Sequence, residues 1–172
     1  MNRCVVYPGT FDPVTNGHID LIERSLRISR RVIVGIAASE AKAPLFSLQE
    51  RVAFMQEATL HLEGVEVEPF DGLLVDYVQQ KGAEVVLRGL RATSDFEYEL
   101  QMALANRQLS EQVETIFMMP CQEHIFISSR IVKAVAALGG DVRAWVPPVV
   151  HRALQERYPI QTKILSAKTK EG

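Results

Sequence analysis

Five short runs rich in β-branched residues alternate with longer helical stretches along this chain. The runs are CVVY (4–7), RVIVGIA (31–37), VEVE (65–68), EVVLR (84–88) and ETIFMM (114–119). Helices are predicted between and after them, at 17–29, 47–61, 72–80, 95–109, 128–138 and 147–158. Several carry apolar residues three and four apart, such as Phe96, Leu100, Ala103 and Leu104, or Leu48, Val52 and Met55. Ser47 followed by Glu50 reads as a capping box, and Asp95 as the cap of the helix after it. Strand–helix alternation of this kind restricts the chain to an α/β fold with a mainly parallel sheet. The runs 31–37 and 114–119 are almost wholly apolar, as expected of strands covered on both faces. One domain is expected over 1–160, with a polar, lysine-rich, frayed tail over 161–172.

In parallel sheets ligands bind beyond the carboxyl ends of the strands. Residues with chemistry to perform should therefore follow strands, and three stretches do. Behind the first run lies GTFDPVTNGH (9–18), in which prolines and glycines shape a turn and a helix begins near Gly17. A helix start offers unpaired N–H groups and partial positive charge to an anion. Thr10 and His18 add side-chain donors. A lone histidine here is otherwise a cap or a surface residue. The stretch is neither a Walker A loop nor a GxGxxG fingerprint.

The fourth run leads into RGLRATSDFEYE (88–99), where Arg88 and Arg91 flank a glycine. Two guanidiniums at a strand end form a fork for phosphate oxygens, or else pair with Asp95, Glu97 and Glu99. Glu99 would repel phosphate and suits a ribose or an arginine-orienting role better. The fifth run leads into FISSRIVK (126–133), where Ser128 and Ser129 stand at a helix start as caps, as part of an anion cradle, or both.

The three stretches, in this order, resemble the nucleotidyltransferases related to class I aminoacyl-tRNA synthetases. Within them they resemble the bacterial phosphopantetheine adenylyltransferases, in register from about residue 4 to 158. The resemblance implies a Rossmann-like five-stranded parallel sheet with helices on both faces. It implies transfer of the adenylyl group of ATP to 4′-phosphopantetheine, giving dephospho-coenzyme A and pyrophosphate. Catalysis would fall to His18, Thr10, Lys42 and Arg91. Thr10, Lys42, Leu74 and Arg88 would hold phosphopantetheine, Leu74 having an alternative reading as core. Thr10, Phe11, His18, Gly89, Leu90, Arg91 and Glu99 would line the ATP site. So would His124, Ile125, Phe126, Ile127, Ser128, Ser129 and Arg130.

Arg130 departs from the family pattern, which has a small hydroxyl residue there. It either binds the β- or γ-phosphate or pairs with an acid. His124, where an aromatic residue is frequent, either lies near the base or is exposed. Magnesium is expected on the ATP phosphates, and a homohexamer and feedback binding of coenzyme A are implied as well. Mononucleotide adenylyltransferases of NAD synthesis share the first motif but usually end the third as ISSTxxR. That difference and the second motif also disfavour a glycerol-phosphate cytidylyltransferase. A nucleotide sensor would need no group aimed at the α-phosphate.

Charge and cysteine content agree with a soluble enzyme of small substrates. A net charge of −2 provides no overall basic field for nucleic acid, so anions must meet local cations. No apolar stretch approaches the ~20 residues of a membrane span. Cys4 and Cys121 lack metal-site spacing and fit a reducing compartment. A cytoplasmic protein without a secretory leader is expected.

Overall fold

Branched Cβ atoms pack well on a pleated sheet and crowd a helix, so the five runs become strands. The computed structural model describes residues 4–38, 43–91 and 93–159. Its strands are β1 (Cys4–Gly9), β2 (Arg31–Ala37), β3 (Val65–Phe70), β4 (Val85–Gly89) and β5 (Glu114–Met118). Its helices are α1 (Asn16–Ser25), α2 (Leu48–Thr59), α3 (Leu74–Gln80), α4 (Thr93–Leu109), α5 (Ser129–Ala137) and α6 (Pro148–Arg157). All strand pairs are parallel, in the order β3-β2-β1-β4-β5. The chain steps outward from β1 to β3 and then crosses back to β4. The resulting crevice opens between the carboxyl ends of β1 and β4.

Successive residues of a strand face opposite sides. Val5, Tyr7, Val32 and Val34 accordingly join the larger core with Leu21 and Ile22 of α1, Met55 of α2, Val132 of α5 and Leu154 of α6. Val6, Ile33 and Val86 meet Val75, Tyr77 and Val78 of α3 on the other face. Helices thus cover both faces, as expected.

Four local expectations are corrected. Pro8 and Gly9 extend β1 by pairing opposite Gly35 and Ile36, so the turn starts at Thr10. α1 begins at Asn16, next to Gly17 as expected, with Thr15 as its N-cap, but ends at Ser25 rather than at 29. α4 begins at Thr93, which puts Asp95 inside the helix rather than at its cap. β5 was expected to be covered on both faces, yet it is an edge strand of this sheet and is half-buried along most of its length. The apolar spacing of α4 likewise faces outward, with Phe96 45%, Leu100 39% and Leu104 55% exposed. Residues 160–172, which include the expected tail, lie outside the described residues.

Ser47 and Glu50 do form the capping box. The Glu50 N–H donates to Ser47 Oγ at 3.3 Å and the Ser47 N–H to Glu50 Oε2 at 2.8 Å. At the other end of the chain, the carbonyls of Ala144 and Trp145 accept from the Asn16 side chain and N–H, both at 2.9 Å. The corner before α6 therefore anchors the start of α1. His61 is exposed beside Glu23, and His151 is half-buried on α6.

Candidate active site

The turn after β1 has to bring an aromatic ring back under itself. A Cβ on Gly9 would stand 2.8 Å from the Phe11 ring, so only glycine permits this fold of the chain. Phe11 adopts φ +49° and is buried. Its ring meets Tyr7 edge-on at 5.2 Å and His18 at 5.0 Å. Phe11 therefore braces the site from its wall, with most of its ring in the core.

His18 occupies the third helical position of α1, where a capping box usually places Glu or Gln. Its Nδ1 accepts the Thr15 N–H at 2.9 Å and lies 3.1 Å from Thr15 Oγ1. An accepting Nδ1 leaves the ring proton on Nε2, on the far side of the imidazole. Burial disfavours the imidazolium, and the Arg91 charge adds to this, so the ring's pKa is pushed down to about 3. His18 is thus a neutral, oriented hydrogen-bond donor near neutral pH.

The shift has a consequence for folding. Unfolding releases the ring to its ordinary pKa of 6.5, so between about 3 and 6.5 the unfolded chain binds more protons than the native one. The His18 contribution to stability is complete above 6.5 and is lost as pH falls through that window. Urea melts between pH 7 and 4 should show a shallower pH dependence in His18→Gln than in the wild type. Identical slopes would contradict the depressed pKa.

His18 lines a cavity of about 480 Å³ at the carboxyl ends of β1 and β4, within the usual range for small-ligand sites. Thr10, Arg88, Gly89, Arg91, Glu99, Ile127, Ser128, Ser129 and Arg130 also line it, so all three sequence stretches meet there. Gly89 is needed for the fit, since a Cβ on it would stand 2.8 Å from Leu21 Cδ1. Arg88 donates through Nε and Nη2 to the two Glu99 oxygens, each at 2.6 Å, and through Nη1 to the Pro8 carbonyl at 3.1 Å. Glu99 thus orients Arg88, while two of the five guanidinium protons remain for a ligand. Arg91 stands in the wall close enough for its charge to act on His18 and Tyr7.

At the other wall Ser128 caps α5, accepting the Ile131 N–H at 3.2 Å. Ser129 Oγ donates to the Pro13 carbonyl at 2.7 Å, which ties α5 to the first turn. The first N–H groups of α5 have no helical partner. Arg130 is exposed on the cavity wall and pairs with no carboxylate among the described residues. Among the described residues the lining holds three arginines and one carboxylate, Glu99, which Arg88 engages.

Other expected site residues are not among the described residues that line the cavity. Lys42 lies outside the described residues. Leu74, the first residue of α3, is half-buried against the smaller core. The Leu90 N–H is spent on the Met118 carbonyl at 2.9 Å, and Leu90 does not line the cavity. His124 is half-buried against α1, its Cβ 3.3 Å from where a Gly17 Cβ would be, and its buried Nδ1 has no partner among the described residues. Ile125 is half-buried and Phe126 is 81% exposed, both outside the cavity lining. Among the described residues no cluster of three or more His, Cys, Asp or Glu side chains is placed to hold a metal ion, and no helix is long and apolar enough to cross a membrane.

Three charged residues behind the wall were not anticipated. Arg51 is 1% exposed and donates to the carbonyls of Phe46, Thr10 and Ala37 at 3.1, 2.8 and 3.0 Å. Asp12 accepts from the N–H groups of Leu45 and Phe46 and from Lys133. The signal for Arg51 was its place on the same helix face as Leu48 and Met55, a charge within an apolar stripe. Asp12 and Lys133 carried no such mark.

Comparison with known proteins gives the family and the fold. A family model described as cytidylyltransferase-like matches residues 6–135. The chain is 59% identical over 155 residues to the phosphopantetheine adenylyltransferase of Alkalilimnicola ehrlichii, covering 89% of each chain. It is 54% identical to that of Nitratidesulfovibrio vulgaris over 91% of this chain and 84% of the relative. It is 50% identical to that of Syntrophus aciditrophicus over 95% and 99%. A solved structure from Vibrio parahaemolyticus, provisionally named a nicotinate-nucleotide adenylyltransferase, superposes with a TM-score of 0.64 at 18% identity, covering 90% of this chain and 99% of its own. That last likeness concerns the fold alone.

Proposed function

The chain belongs to the phosphopantetheine adenylyltransferases, nucleotidyltransferases of coenzyme A biosynthesis, and from that premise we propose that it joins ATP to 4′-phosphopantetheine by direct in-line attack with no covalent enzyme intermediate. A phosphate oxygen of 4′-phosphopantetheine bonds to the α-phosphorus of ATP. The bond from that phosphorus to the bridging oxygen of the β-phosphate breaks, and pyrophosphate leaves with the electron pair. The nucleophile is already an anion, so the reaction needs no general base.

What opposes it is repulsion between polyanions. At an effective dielectric of ~20, two unit charges ~4 Å apart repel by ~4 kcal/mol. The observation that supports the reading is the convergence of His18, Arg88, Arg91 and the start of α5 on one cavity. There they offset that repulsion and hold the reactants in line. His18 Nε2–H serves the α-phosphate oxygen as negative charge gathers on it, as an oxyanion hole does. Arg88, steadied by Glu99, takes the acceptor phosphate. Arg91 and the N–H groups at the start of α5 take the pyrophosphate end. Thr10, exposed at the mouth of the turn, lies between the substrates. Lys42 is assigned to the transferring phosphates on the family resemblance alone. Magnesium would ride on the nucleotide phosphates and water, neutralising charge there.

Pyrophosphate release from ATP tests the reading. It is expected with 4′-phosphopantetheine, and not with nicotinate mononucleotide or without an acceptor, nor from CTP with glycerol 3-phosphate. Release only with one of those other acceptors would refute it, as would ATP binding without any release.

Arg130 gives a finer test. If its guanidinium serves the β- or γ-phosphate, Arg130→Ser should raise the KM for ATP about tenfold, the worth of one charged hydrogen bond. The KM for 4′-phosphopantetheine should stay unchanged. Unaltered kinetics for both substrates would make Arg130 a surface residue.

The proposal extends to a cytoplasmic homohexamer subject to feedback by coenzyme A. The outward apolar residues of α4 and the half-buried edge strand β5 offer surface for self-association. Two free thiols, Cys4 and Cys121, suit a reducing compartment. Coenzyme A shares the pantetheine arm of the acceptor.

A further inference from the structure

Behind the cavity wall one carboxylate collects donors from two distant segments and anchors them to the first turn. Asp12 is 7% exposed. Its Oδ1 accepts the Phe46 N–H at 2.9 Å, and its Oδ2 accepts the Leu45 N–H at 3.0 Å together with the Lys133 ammonium. Leu45 and Phe46 close the connection between β2 and α2. Lys133 lies four residues beyond Ser129 on α5, on the same helix face. All the partners are donors, and only a carboxylate accepts from every one of them. An asparagine would turn its own N–H₂ toward one. Burial alone pushes the Asp12 carboxyl up, but Lys133 and the two amides outweigh it and hold the group below the usual carboxylate range.

Neither Asp12 nor Lys133 lines the cavity. Phe11 beside Asp12 does, and so do Ser129 and Arg130 at the start of the helix that carries Lys133. Asp12 sits two residues after Thr10 in the turn that leads to His18, and Lys133 sits one helical turn from Ser129, whose Oγ holds the Pro13 carbonyl.

We propose that the Asp12–Lys133 pair is a positioning device for adenylyl transfer, setting the separation between the turn that carries Thr10 and His18 and the start of α5. It rests on the reaction assigned above, in which His18 of the turn serves the α-phosphate of ATP and the start of α5 takes the pyrophosphate end of the same molecule. A displacement of about 1 Å between them is enough to cost about 10²-fold in rate.

Lys133→Met removes the ammonium and keeps most of the stem, at a side chain that is 30% exposed and leaves room for the fold to hold. Measured well below the melting midpoint, kcat should fall about 10- to 100-fold, with the KM for each substrate within about threefold of the wild type. Lys133→Arg should recover most of the rate, because a guanidinium also donates to Oδ2. Asp12→Asn should lose at least as much as Lys133→Met, because it also disturbs the Leu45 or Phe46 bond, and the double variant no more than Asp12→Asn alone, since the Lys133 link is already gone there. A folded Lys133→Met with kcat within twofold of the wild type overturns the proposal. So does a loss confined to KM, or a Lys133→Arg as slow as Lys133→Met.

If the wild type released no pyrophosphate, the reaction assignment would fall on its own. Amide exchange would then decide on the pair. Faster exchange at Leu45, Phe46 and Thr10 to Thr15 in Lys133→Met supports it, and unchanged exchange overturns it.

Discussion

His18→Ala should release pyrophosphate about 10²- to 10³-fold more slowly than the wild type, the usual cost of losing one oriented donor to a developing oxyanion. The structure shows why the loss should be mainly in kcat. Nδ1 is occupied by the Thr15 N–H, so the ring has one donor, Nε2–H, at the cavity. On the proposed reading ATP would keep its other contacts at Arg91 and the start of α5 in the ground state, and its Kd should change by less than about threefold. The fold should survive as well. Alanine suits a helix, and the cost is that of a lost cap interaction, about 1 kcal/mol. Steady-state pyrophosphate release and calorimetric titration with ATP measure the two effects separately. An unchanged kcat would remove His18 from the reaction, and a loss of ATP affinity equal to the loss of rate would make it a binding residue only.

The largest expected effect on stability comes from a residue outside the cavity. Arg51→Met should cost about 4 kcal/mol, because three carbonyls lose their donor at once and each buried orphan costs about 1–3 kcal/mol. For a chain of this size that lowers the melting temperature by roughly 8–16 °C. The three carbonyls belong to Thr10, Ala37 and Phe46, so Arg51 clamps the turn after β1 to both ends of the connection between β2 and α2. Arg51→Lys keeps the charge but not the fork, and should fall between the methionine variant and the wild type. Calorimetric melting of the three proteins tests this. A methionine variant within about 1 kcal/mol of the wild type would mean that the carbonyls find other donors.

Much of this architecture was legible before any coordinates. Branched residues in five separate runs leave little alternative to strands, and long connections between them leave little alternative to a parallel sheet. The rule that ligands gather beyond strand carboxyl ends picked out His18, Arg88, Arg91, Ser128 and Ser129, which do share one cavity. The errors have a common physical origin. Local apolarity reports that a surface avoids water, not what covers it, so β5 read as a strand covered on both faces although this chain leaves it half-buried. The same ambiguity leaves Leu74, half-buried against the smaller core, open between core and ligand. Buried charges were the least legible. Arg51 left only its place in the apolar stripe of α2 as a mark, while Asp12 and Lys133 are explained only by partners that approach from distant segments, which no local pattern records.

A crystal structure with a non-hydrolysable ATP analogue and magnesium would examine the shared phosphate grip itself. The α-phosphate should lie within about 3.2 Å of His18 Nε2, with the pyrophosphate end facing Arg91 and the first N–H groups of α5. A nucleotide seated in another cavity, or in this one with its α-phosphate out of reach of the imidazole, would contradict the mechanism.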